Sequence, residues 1–179
     1  PDSTGYAMYG TPLKTGFILR FKISENAAEV KGSAKTEDPE VLKDRKKQVD
    51  ALMKEHGAKI TKQSSSTPYA FRYEFTYKSE NLEELAKAIE TVEKTEILSI
   101  GKGLELIKDL GDATVVADQY GLGKFMGTHG IGHTRMATES DVDIKSAHPY
   151  WAFPYQDVAV VHNGQLTNYW GNRRVLERS

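Results

Sequence analysis

Four residues near the end of the chain have the types and spacing of a small-molecule site: Arg135, Thr138, Asn163 and Gly164. Arg135 offers a planar fork of donors that fits a carboxylate bidentately. Thr138 adds a hydroxyl three residues later, in reach of the same ligand. Asn163 has a side-chain amide donor, and the Gly164 N–H can approach a ligand closely because no Cβ is in the way. An Asn amide beside a Gly N–H can form an oxyanion hole, which stabilises charge developing on a carbonyl oxygen during acyl transfer. His162 directly precedes this pair and is a candidate substrate contact. A carboxylate clamp with an oxyanion hole describes an enzyme acting on the side-chain amide of an amino acid. Taken singly the residues say less: a lone Arg at a strand end usually makes a surface ion pair, and His-Asn-Gly is an ordinary turn.

The elements that must position these groups are two short apolar runs, residues 130–137 and 158–162. Each ends on a polar cluster and is bounded by turn residues, which suits buried strands better than helices. Strand ends fix the positions of the side chains they carry, as a binding site requires.

The segments GHTRMAT, AHP and VVHNG, in that order, resemble the glutamine amidotransferase domain of the N-terminal-nucleophile (Ntn) hydrolases, class II type. The opening Pro1-Asp2-Ser3-Thr4-Gly5 is similar to the second half of that family's RG-x-DS-x-G motif. The longer stretch HNGQLTNYWGNRR is most like the glutamate synthase branch, where Gly-Asn follows the turn at about this distance. The resemblance covers residues 1–10 and 96–179.

The resemblance implies roles on matching positions only. Arg135 would bind the α-carboxylate of glutamine with Thr138 assisting, Asn163 and Gly164 would form the oxyanion hole, and Asp2 and Ser3 would support the nucleophile. It implies a Cys thiolate attacking the glutamine amide, its own α-amine acting as base. Ammonia would leave, and water would release glutamate. The ammonia would pass to a partner synthase domain; FMN and iron–sulfur groups are expected only there, and no cofactor or metal in this chain. Two departures stand out: Glu139 follows Thr138 where many relatives carry His, and the chain has no Cys at all. The expectation is therefore a piece of a longer enzyme, cut at both ends and inactive by itself. Other readings remain open: another class II amidotransferase of sugar-phosphate or phosphoribosyl type, a non-catalytic subunit that kept the pocket, or an inserted module that docks or senses a ligand.

Composition narrows the class. The 179 residues are 39% hydrophobic and 27% charged, with formal net charge −1. That balance gives no basic footprint for nucleic acid. No apolar run approaches the ~20 residues of a membrane span. Zero Cys excludes disulfides and cysteine-bound metal and fits a reducing, cytoplasmic setting.

The remaining pattern predicts an α+β fold: a partial Ntn-type αββα sandwich from residues 1–15 and 96–179, with residues 16–95 inserted as a ferredoxin-like β-α-β-β-α-β subdomain. Residues 16–23 alternate Phe17, Leu19, Phe21 and Ile23 with Arg20 and Lys22, a half-buried strand. Asp38-Pro39 opens a helix that Gly57 stops. A strand at 59–62 and a turn at Ser64–Thr67 lead to an aromatic row, Tyr69, Phe71, Tyr73, Phe75 and Tyr77. The row is expected to pack under two helices; stacking on bases is the alternative. Asn81 with Glu84 makes a capping box for a helix whose stripe is Leu82, Leu85, Ala86, Ile89 and Val92. The strand at 96–100 suits either unit, and residues 104–110 and 113–120 read as helices. His129 and His133 stand four apart, a zinc spacing only if helical; His133, His148 and His162 are expected to hydrogen-bond the backbone around the site.

Overall fold

The computed structural model describes residues 3–24, 38–78, 82–135, 144, 147–164 and 167–178. In chain order the elements are β1 (Ser3–Gly10), β2 (Phe17–Lys22), α1 (Pro39–Glu55), β3 (Lys59–Thr67), β4 (Ala70–Thr76), α2 (Leu82–Ile89), β5 (Glu96–Gly101) and β6 (Leu104–Leu110). Then follow α3 (Ala113–Gln119), a 3₁₀ turn (Leu122–Lys124), β7 (Gly127–Arg135), β8 (Tyr150–Trp151), β9 (Ala159–Val160) and α4 (Tyr169–Leu176). The fold is α+β, with three antiparallel sheets ordered β3-β4-β2-β5, β6-β1-β7 and β8-β9.

The four-stranded sheet is built as its alternation dictates. Leu19, Phe21, Tyr73 and Phe75 point to one face and are buried with Leu42, Val49 and Met53 of α1 and Leu85 and Ile89 of α2. Phe21 stacks on Phe71 at 5.3 Å and meets Tyr73 edge-on at 5.0 Å. From Tyr69 to Phe75 the aromatic row is therefore core and presents no stacking surface for bases; Phe17 and Tyr77 of the expected set are only half-buried. Asp38 caps α1 by accepting the Glu40 N–H at 2.9 Å, and Gly57 beyond its end adopts φ +81°. Asn81 of the expected capping box lies outside the described residues.

Three expectations are corrected. Residues 104–110 are a strand, not a helix: Leu104 and Leu106 face one side, Glu105, Ile107 and Asp109 the other, and the whole run pairs with β1 from Ser3↔Leu110 to Tyr9↔Leu104. Leu-Glu-Leu-Ile fits either period, and only pairing decides. The serine run at 64–66 is not a turn; β3 continues to Thr67 as a polar edge strand, its register shifted by bulges, and the chain reverses at Pro68–Tyr69. The run at 158–162 contributes only a two-residue strand, Ala159–Val160. The strand at 96–100 joins the four-stranded sheet beside β2.

β2 is also buried on its polar face. Arg20, Lys22 and Arg72 point away from the helices, towards β6, and are taken up by its carboxylates. Glu105 receives Arg20 at 2.6 Å and Arg72 at 2.8 Å. Asp109 receives Lys22 at 3.2 Å and also accepts the Tyr69 and Tyr120 hydroxyls, each at 2.8 Å. This charged layer joins the four-stranded sheet to the β6-β1-β7 sheet. The opposite face of the latter carries a second, smaller core of Ala7, Leu98, Leu104 and Leu106, on which Ile131, Trp151 and Ala159 pack. The β8-β9 hairpin thereby lies over the face of β1 and β7 that carries Ser3, His133 and Arg135.

Candidate active site

Arg135 ends β7 directly across from Ser3 of β1, and two residues back His133 stands across from Gly5. Cross-strand partners share a face, so Ser3, Arg135, Gly5 and His133 line one surface. His148 lies over it: a Cβ on Gly5 would collide with the His148 carbonyl oxygen, so only glycine permits this approach. The His148 ring sits 4.9 Å from His133 and 4.5 Å from Tyr150. His148 Nδ1 accepts the backbone N–H of His162 at 3.1 Å. Asn163 and Gly164 follow at once, both exposed.

His148 therefore lies against the start of the His-Asn-Gly turn and within the field of Arg135. Partial burial holds its pKa below the usual histidine value, and the neighbouring His133, His162 and Arg135 push the same way. It is neutral at pH 7, and because Nδ1 accepts, its proton belongs on Nε2. Among the described residues, Ser3 Oγ and His133 Nδ1 are buried with no hydrogen-bond partner. Both sit on the same face as Arg135.

The sequence missed Asp157. Its carboxylate accepts three backbone N–H groups of the β5–β6 turn: Gly103 and Leu104 at 2.8 Å each, and Lys102 at 3.1 Å. It thereby ties the start of the β9 segment to the sheet that carries the site. The available signal was an Asp in a turn just ahead of an apolar run, where such side chains bond nearby backbone.

Of the expected site residues, Ser3, Arg135, His162, Asn163 and Gly164 are described; Asp2 and Thr138 lie outside the described residues, as does Glu139. Arg135 and His162 both act on one imidazole, that of His148, the first through its charge and the second through its backbone N–H. Of the three histidines expected to bond the backbone, His148 does so. The His129/His133 zinc spacing is not formed, because both lie on β7. Four residues of strand span ~13 Å, and His129 instead stacks on Tyr9 at 4.3 Å. Beyond Tyr150, a cavity of about 310 Å³ opens between α2, β5 and β8, lined among others by Lys87, Glu96, Lys108 and Trp151.

What this arrangement offers is a guanidinium for a carboxylate, a neutral imidazole, and a glycine turn with an amide side chain. The chain is 35% identical over 181 residues to a protein of Methanothermobacter thermautotrophicus provisionally named a glutamine amidotransferase; the match takes in 99% of this chain and 55% of that protein. It is 42% identical over 82 residues to the glutamine amidotransferase-like protein GlxB of Rhizobium meliloti, covering 46% of this chain and 27% of the relative. It is 39% identical over 70 residues to a glutamine–fructose-6-phosphate aminotransferase of Pyrobaculum aerophilum, covering 39% of this chain and 12% of that enzyme. The chain thus spans about half the length of the first of these relatives and less of the other two. No family model and no solved structure matches it. These similarities support a class II glutamine amidotransferase domain.

Proposed function

We propose that this chain forms the glutamine-binding part of an amidotransferase that hydrolyses the side-chain amide of glutamine and passes the ammonia to an acceptor site. The observation that carries this reading is that His148 feels the charge of Arg135 and accepts the His162 N–H at the start of the His-Asn-Gly turn. In this reading Arg135, helped by Thr138, holds the α-carboxylate. A thiolate adds to the amide carbon, and the carbonyl electron pair moves to oxygen, where Asn163 and the Gly164 N–H receive it. Collapse expels the nitrogen, which leaves as ammonia with the proton that the nucleophile's own α-amine took from the thiol, and leaves a thioester. Water then adds, releasing glutamate and restoring the thiol. Asp2 and Ser3 support the nucleophile, Ser3 from the start of β1. The chain has no cysteine, so the thiol would come from outside residues 1–179.

The domain reading accompanies this one: residues 1–15 and 96–179 as a partial Ntn-type αββα host, residues 16–95 as a ferredoxin-like insertion. The full-chain match takes in the insertion; matches of 82 and 70 residues are too short to hold both parts. For the acceptor, the stretch after the His-Asn-Gly turn favours a synthase that makes glutamate, with FMN and iron–sulfur groups in that partner and none here. A sugar-phosphate acceptor is the second reading, favoured by the local match to a glutamine–fructose-6-phosphate aminotransferase. The test is glutamine consumption by the intact parent protein with each acceptor supplied in turn. Glutamate release stimulated by 2-oxoglutarate and reductant supports the first, stimulation by fructose 6-phosphate the second, and no release under any condition rejects both.

A further inference from the structure

We propose that His148 is a positioning residue for the oxyanion turn: as a neutral acceptor it holds the His162 N–H, and so fixes Asn163 and Gly164 relative to Arg135. The inference rests on the functional reading above and deepens it.

The geometry carries the argument. The turn from His162 to Gly164 follows a strand of only two residues, so the sheet ladder gives it little support. The bond from the His162 N–H to His148 Nδ1, at 3.1 Å, ties its first residue to the β1/β7 face. His148 is itself held in place. Its carbonyl rests on Gly5, and its ring packs between His133 and Tyr150. Arg135 ends the same strand that carries His133, two residues on. One imidazole therefore links the strand that ends on Arg135 to the turn that carries Asn163 and Gly164.

The same bond makes the arrangement sensitive to pH. Protonated imidazole has donors at both nitrogens and no acceptor. Proton uptake would turn Nδ1–H against the His162 N–H and free the turn. The groups facing His148 are His133 and Arg135 from β7, His162 beyond β9, and Tyr150 from β8. Behind Tyr150 lies the Lys108 ammonium, 5.5 Å from its ring and paired with Glu96 at 3.0 Å. Among the described residues, the immediate neighbours include a guanidinium and two imidazoles and no carboxylate, so none of them rewards a positive charge there. Its lowered pKa agrees.

The test follows the backbone amides of His162, Asn163 and Gly164 in the 179-residue chain by nitrogen-15 NMR between pH 5 and 8, with the His148 ring nitrogens as reporters of protonation. The expected result is a common midpoint for the three amides and the His148 ring, below the ordinary histidine value. In His148→Asn, whose side-chain oxygen can accept but does not titrate, the amide transition should vanish. In His148→Phe, the His162 amide should show no hydrogen bond at any pH. Amides that ignore the His148 titration, or an unchanged transition in His148→Asn, would overturn the proposal.

The thiol-bearing parent protein supplies the second arm. There kcat for glutamine hydrolysis should fall with acid through the same midpoint while KM changes little. His148→Asn should remove that limb, and His148→Phe should lower kcat about 10²-fold, as for a misplaced reacting geometry. An acid limb unchanged in His148→Asn counts against the proposal. Absence of turnover at every pH, with the amides still following His148, overturns the oxyanion role and leaves the hydrogen-bond claim standing.

Discussion

Lys22 Nζ lies 3.2 Å from Asp109 Oδ1, with the two side chains 1% and 0% exposed. Burial holds the ammonium down to about 8, although Asp109 and Glu96 pull it upwards. Lys108 pushes it down from the same side, and the Tyr69 ring lies 5.0 Å away. The folded value is below the ordinary 10.5, so the unfolded chain binds more protons between the two. Stability therefore rises with pH from about 8 to 10.5 and is lost as pH falls back through that window. Urea unfolding of the native chain and Lys22→Met at pH 7.5 and 10 measures this. The difference between them should move in favour of the native chain at the higher pH; a difference independent of pH contradicts the account.

Glu105 makes the second half of the same layer. Burial would raise its pKa, but the Arg72 hydrogen bond and the charges of Arg20 and Arg72 outweigh burial and hold it below the usual carboxylate value. Its contribution is present above the ordinary carboxylate range and is lost as pH falls through the lowered value. Glu105→Gln leaves two guanidinium groups facing a neutral amide. The expected cost is about 3 kcal/mol, typical of breaking a buried pair from one side. Replacing Arg20, Arg72 and Glu105 together by apolar residues should cost less than Glu105→Gln alone. Equal losses would show that the charges matter individually, not as a set.

Much of the fold was legible because two periods are hard to confuse when every second residue is aromatic. Phe71 to Phe75 could be only a strand, and Asp38-Pro39 only a helix start. What was not legible depended on pairing. Leu104 to Leu110 satisfies a helical stripe and a strand alternation equally, and β1 selects the strand by pairing with it throughout. Arg20 and Lys22 read as a solvent face, because no local signal shows that Glu105 and Asp109, more than eighty residues on, will cover them. At the site, Arg135 and the His-Asn-Gly turn stood out by residue type. Asp157 did not, because its work is to hold the backbone of another turn, and that role exists only once the strands have met.

Gly5→Ala tests the close approach of β1 to the site loop. The added methyl would meet the His148 carbonyl oxygen, which is backbone and cannot swing aside. The expected loss is about 1–3 kcal/mol, the usual range for overpacking, with a displaced His148 ring resonance. Thermal unfolding and the histidine spectrum measure the two effects. Unchanged stability would mean that His148 does not rest on β1.

Asp157→Ala removes the acceptor of three backbone N–H groups. Amide hydrogen exchange at Lys102, Gly103 and Leu104 should accelerate, while exchange in β4 should not. Asp157→Asn should keep part of the protection, since one oxygen remains to accept. If exchange at the three amides is as slow in Asp157→Ala as in the native chain, Asp157 is not what orders that turn.

The central claim is that Arg135 and Asn163 serve one glutamine molecule in different ways. Steady-state glutamate release by the thiol-bearing parent protein and two variants tests it. Asn163→Ala should lower kcat about 10²–10³-fold, the usual effect of removing one oxyanion donor. Arg135→Lys should raise KM with a much smaller change in kcat, because a carboxylate clamp binds ground and transition states alike and an ammonium cannot reproduce its bidentate fork. Unaltered kinetics in both variants, or a kcat loss in Arg135→Lys with KM unchanged, would contradict the account.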